Sequence, residues 1–97
     1  METPPQEESR RPTPHPMVVL REEFDDWAVL YNPETGDAMG VNPTGVILWK
    51  AMDGRRTLAD LVRSLAAHFP ELPAEADAQV AEFVDTLAAR GFVGFAA

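Results

Sequence analysis

The side chains able to do acid, base, nucleophilic or metal chemistry in this 97-residue chain are few, and their spacing argues for binding rather than catalysis. His15 and His68 are the two histidines. One lies in a proline-rich stretch and the other near the end of a helix-patterned segment, and neither has a partner at metal-ligand spacing. Glu22, Glu23, Asp25 and Asp26 put four carboxylates within five positions, a grouping that could hold a hard cation or form an acid/base pair. Strand alternation would spread these four over both sides of a hairpin tip, and the glycine of an EF-hand loop is missing, so a solvated turn is the reading. Ser9 and Ser64 have no neighbouring histidine and no nucleophile-elbow pattern. With no cysteine, thiol nucleophiles and disulfides are excluded. The chain reads as a non-enzyme with no cofactor and no metal.

Basic residues offer a second chemistry. Lys50, Arg55, Arg56 and Arg63 are the basic concentration outside the first residues, whereas the last helix-patterned segment carries Arg90 alone. Sixteen acidic against eight basic side chains give a net charge of -8, which repels a phosphate backbone. A winged-helix regulator that binds DNA is the alternative reading, and the missing basic recognition helix makes it the weaker one, so no nucleic-acid partner is expected.

The elements that must position these groups follow from pattern. Residues 1–16 hold Pro4, Pro5, Pro12, Pro14 and Pro16 among polar and charged side chains, which reads as a disordered, polyproline-like arm. No apolar stretch follows Arg10 and Arg11 before Met17, and no run reaches the length of a membrane span, so a soluble, cytoplasmic protein with no membrane partner is expected. Met17 to Phe24 and Trp27 to Tyr31 are rich in β-branched and aromatic residues around Asp25-Asp26, which predicts a hairpin with apolar side chains on both faces. Asn32-Pro33-Glu34-Thr35-Gly36 is turn chemistry. A short third strand, Asp37 to Val41, follows, with Ala38 and Gly40 leaving one of its faces nearly bare.

Asn42-Pro43 then reads as an N-cap and first-turn proline, opening a largely apolar helix with Trp49 in the core and ending at Asp53-Gly54. Thr57 to Asp60 is a capping-box start for an amphipathic helix that Pro70 stops. The third helix spans about Ala74 to Arg90, with Gly91 as its C-cap and Val80, Phe83, Val84 and Leu87 among its apolar positions. The fold class is therefore α+β: a small winged-helix-like domain over residues 17–95, a three-stranded antiparallel sheet followed by three helices, ending in an apolar tail at Phe92 to Phe95.

The run from Val18 to Leu30, then Gly40-Val41-Asn42-Pro43-Thr44-Gly45, Ile47-Leu48-Trp49, Asp53-Gly54, Thr57-Leu58 and the stretch from Leu87 to Val93 resemble the PqqD-like family. Within it they are most similar to the ScmD branch of SynChlorMet cassette proteins. The likeness covers roughly Pro16 to Gly94, and the proline-rich arm has no counterpart in it. The resemblance implies a peptide chaperone, or RiPP recognition element. Such a domain holds the leader of a ribosomally made precursor peptide and presents it to a modifying enzyme, commonly a radical S-adenosylmethionine (SAM) protein.

It also implies a groove between the third strand and the third helix. Here that maps onto Ala38, Met39, Gly40 and Val41 on one wall and Val80, Phe83, Val84 and Leu87 on the other. Because a helix shows only part of its circumference to a groove, about half of the four helical residues are expected to serve packing alone. An unpaired edge on the third strand would accept an extended peptide through main-chain hydrogen bonds. The same open edge makes either a monomer or a homodimer compatible with the sequence.

Overall fold

The computed structural model describes residues 10–96. Its elements run β1 (Arg11–Pro14), β2 (Val19–Glu22), β3 (Ala28–Asn32), β4 (Asp37–Val41), α1 (Pro43–Ala51), α2 (Leu58–His68), α3 (Ala76–Ala89) and β5 (Val93–Ala96). β2, β3 and β4 form the antiparallel sheet in that order, and β1 pairs with β5 as a separate two-stranded ribbon.

The hairpin between β2 and β3 turns as its residues dictate. Asp25 and Asp26 both adopt positive φ, 58° and 63°, a left-handed pair whose twist matches the flanking strands. The Trp27 amide closes that turn on the Phe24 carbonyl at 3.2 Å, and Glu23 N donates to Trp27 O at 2.7 Å. The next turn is built by Asn32. Its carbonyl accepts from Gly36 N at 2.8 Å, and its side-chain oxygen accepts from Glu34 N at 2.9 Å. Gly36 takes the positive φ that closes it.

Asn42 caps α1 by accepting from Gly45 N at 2.8 Å, with Pro43 at the first helical position, where no N–H is missed. Thr57 and Asp60 form a reciprocal capping box on α2: Asp60 N donates to Thr57 Oγ1 and Thr57 N to Asp60 Oδ2. α3 stops at Arg90, and Gly91 follows with φ +81°.

The helices cover one face of the sheet. Ala28 and Leu30 of β3 and Val41 of β4 are buried with Leu48, Trp49, Leu61, Leu65, Val80, Val84, Leu87 and Phe92 in a continuous core. Among the described residues one polar side chain is buried with it: Asn32, 2% exposed, donates from Nδ2 to the Gly91 carbonyl at 3.2 Å, so the β3–β4 turn is tied to the end of α3. On the opposite face Val19 and Tyr31 are cross-strand partners and are solvent-exposed, as is Trp27.

One expectation is corrected. Residues 1–16 read as disordered, yet Arg11–Pro14 is a strand paired with β5, Arg11 opposite Ala96 and Pro14 opposite Val93; residues 1–9 lie outside the described region. The prolines are compatible with the ladder because of their parity. His15 N donates to Phe92 O at 2.9 Å, so the odd residues face β5, while Pro12 points the other way and its carbonyl accepts from Gly54 N at 3.1 Å. Pro12 and Pro14 thus stand where an antiparallel ladder asks for no donor. Pro12 is fully buried, which supplies the apolar anchor the composition lacked.

Candidate functional site

The geometry of β4 follows from its single neighbour. Glu23 N bonds to Trp27 O, so the odd residues of β3 face β2 and its even residues, Ala28, Leu30 and Asn32, face β4. Their partners are Val41, Met39 and Asp37. The backbone N–H and C=O groups of Ala38 and Gly40 therefore point away from the sheet, along an edge with no strand beside it among the described residues.

α1 packs against β4, and the end of α3 reaches the start of that edge. Of the eight residues assigned to the groove from the sequence, Ala38 and Gly40 are exposed on β4, and Met39 and Phe83 are half-buried against the core. Val41, Val80, Val84 and Leu87 are at most 2% exposed. These four belong to the core, so of the four helical positions Phe83 alone keeps substantial exposed surface, rather than half of them. A β-carbon added at Gly40 would meet nothing within 4 Å, so the strand offers open space at its bare position.

Three residues that the sequence did not single out complete the site. Gly45 lets α1 approach β4 and α3: a β-carbon there would overlap Val41 and lie 3.2 Å from Phe83 Cζ. Asp37 and Arg90 clasp each other across the end of the edge, Nε to Oδ2 at 3.0 Å and the terminal nitrogen to Oδ1 at 2.7 Å. The same terminal nitrogen donates to the Ala38 carbonyl at 2.9 Å. The hydrogen bond from Arg90 holds the Asp37 carboxyl below the usual carboxylate range, against the opposing effect of desolvation, and Arg90 is raised in return. A helix-interior glycine such as Gly45 is a signal of close approach. The Asp37–Arg90 pair, 53 positions apart, has no local signal.

Beyond Phe83 the groove continues into an apolar cleft of about 420 Å³ between the start of α1, the end of α2 and the first turns of α3, lined by Leu48, Leu65, Leu72, Pro73 and Val80 among others. An extended chain added to β4 would place alternate side chains toward Met39 and Phe83.

The other candidate groups are otherwise engaged. Glu22 pairs with Lys50 at 2.9 Å and Glu23 with Arg21 at 3.1 Å. Arg63 pairs with Asp60, and Arg56 donates to the Ala51 carbonyl at 2.9 Å. Lys50 stands on α1, Arg63 on α2 and Arg55 and Arg56 in the intervening loop, so the basic residues line no single helix. Asp53 accepts from the Arg55 and Arg56 amides, which lowers its pKa and fixes that loop. No helix among the described residues is long and apolar enough to cross a membrane.

A model of the family described as coenzyme PQQ synthesis protein D (PqqD) matches residues 28–93 of the chain. The fold is similar to that of a solved structure, "TbiB1 in Complex with the TbiA(beta) Leader Peptide", with a TM-score of 0.70 and 20% sequence identity over 84% of this chain and 93% of that one. No curated protein matches the chain.

Proposed function

Since the chain belongs to the PqqD family, we propose that it is a RiPP recognition element, a peptide chaperone that binds the leader of a ribosomally made precursor by strand addition to β4. The observation that carries this reading is the outward backbone of Ala38 and Gly40 beside half-buried Met39 and Phe83. Main-chain hydrogen bonds at that edge supply affinity with little regard to sequence, and the apolar side chains under it supply selectivity. The solved relative in complex with a leader peptide supports the same class of ligand.

The domain binds and presents; it does not catalyse. Its partner is a radical SAM maturase working in the cytoplasm, and within the family we infer the ScmD branch from the Val18 to Leu30 run with Asn42, Trp49 and Asp53-Gly54. Ordering the backbone of a free leader costs roughly 1–2 kcal/mol per residue, which offsets much of the contact energy. Affinity near micromolar, about -8 kcal/mol, is expected. With a net charge of -8, the domain favours leaders or maturase surfaces that carry Lys or Arg, and added salt weakens that part of the attraction.

Titration of the isotopically labelled protein with the precursor's leader tests the reading. Amide shifts should concentrate at residues 37–41 and around Phe83; shifts confined to the exposed face of Val19 and Tyr31 would refute it.

A further inference from the structure

The open edge of β4 is guarded. Of the four backbone groups that Ala38 and Gly40 turn outward, the Ala38 carbonyl already accepts from Arg90 at 2.9 Å. That guanidinium is fixed from two sides. Asp37 grips it with both carboxylate oxygens. Its stem leaves the C-cap of α3, next to Gly91, whose carbonyl is held by the buried Asn32 side chain. It thus occupies the place where the N–H of an incoming strand would meet Ala38.

We propose that Arg90, positioned by Asp37, is a selectivity guard of the β4 edge. It makes strand addition by backbone alone uncompetitive, so that a guest displaces it only when side chains anchor against Met39 and Phe83 as well. This rests on the peptide-binding reading and names the residue that decides which strands the edge accepts. Selectivity of this kind needs an element that works against the wrong guest.

The most available wrong guest is a second copy of the chain. Its own β4 edge offers the same outward groups for antiparallel pairing. With both guards in place, each copy would give up an Arg90–carbonyl hydrogen bond for a strand hydrogen bond of similar strength, and two chains of charge -8 would be brought together. The exchange then has little to drive it. Without the guards the carbonyls are free and pairing adds bonds outright. Each charge-assisted contact restrains association about three-fold, and a two-fold dimer releases two, so removal should tighten self-association about ten-fold.

The test is sedimentation velocity over a concentration series for the wild-type chain and the Arg90→Ala, Asp37→Asn and Arg90→Ala/Gly40→Pro variants, with thermal melts to establish that each is folded. Arg90→Ala should dimerise about ten-fold more tightly than wild type, and Asp37→Asn, which weakens the grip on the guanidinium while keeping the side-chain shape, should fall between them. Gly40→Pro deletes an outward N–H and should return the double variant to wild-type behaviour. Equal dimerisation of Arg90→Ala and wild type, or tighter association that Gly40→Pro leaves intact, would overturn the proposal. No peptide enters this experiment, so failure of leader binding and failure of the guard are separate results.

Discussion

Gly40 allows the strand-addition mechanism to be interrupted without disturbing the fold. Its N–H points away from β3, so Gly40→Pro removes no bond of the sheet, and a β-carbon at this position meets nothing within 4 Å. Proline is tolerated at an edge-strand position of this kind. What the substitution removes is one donor from the free edge, and the ring adds bulk where a guest carbonyl would approach. A net hydrogen bond contributes about 0.5–1.5 kcal/mol, so leader affinity should fall by at least about 2- to 12-fold, while stability to urea stays within about 0.5 kcal/mol of wild type. Gly40→Ala is the matched control. It keeps the donor and, by restricting the unfolded chain, should stabilise the domain by about 0.4–1 kcal/mol with leader binding retained. Isothermal titration calorimetry and urea denaturation of both variants give the four numbers required. Wild-type affinity in a folded Gly40→Pro protein would remove the edge from the mechanism.

Further tests address the elements that hold this edge in position. Thr57→Ala breaks the capping box of α2 and should cost about 1 kcal/mol in urea denaturation, with leader affinity unchanged. Gly45→Ala would ordinarily favour a helix by about 1 kcal/mol; here the new methyl overlaps Val41 and presses on Phe83, so the variant should instead be destabilised by about 1–2 kcal/mol and bind leader more weakly. Acid should release the guard: the Asp37 carboxyl is depressed below its ordinary 3.8 by the Arg90 hydrogen bond, so the contact is complete above that value and is lost as pH falls through the depressed one. Chemical shifts of the Arg90 Nε–H should report this loss in wild type and not in Asp37→Asn. Removing residues 1–14 deprives β5 of its partner strand and uncovers the surface that Pro12 buries, so the truncated chain should lose about 1–3 kcal/mol of stability, read from its urea midpoint.

Local chemistry made most of the fold legible. The limits of β4, the Asn42 and Thr57 caps, the Asp25-Asp26 turn and the end of α3 at Arg90 are each specified by residues within four or five positions of one another, and a single sequence carries such signals intact. β1 was not legible for the opposite reason. Its proline content matches a solvated arm, and what orders it is parity against β5 and the burial of Pro12 beside Gly54, both set by residues far along the chain. The groove divides in the same manner. Helical spacing identifies Val80, Phe83, Val84 and Leu87 as apolar without saying which of them the sheet will cover; three lie beneath it and Phe83 remains at the margin. The Asp37–Arg90 clasp arises only when the start of β4 meets the end of α3, so neither residue could be singled out from its neighbours.

The most direct examination of the mechanism is amide hydrogen exchange at Ala38 and Gly40, with and without saturating leader peptide. Strand addition predicts that these two outward amides slow markedly on binding, with those of Leu20 and Glu22 on the opposite edge of the sheet unaffected. Binding that leaves Ala38 and Gly40 exchanging at their free rates, or that protects Leu20 and Glu22 in their stead, would contradict it.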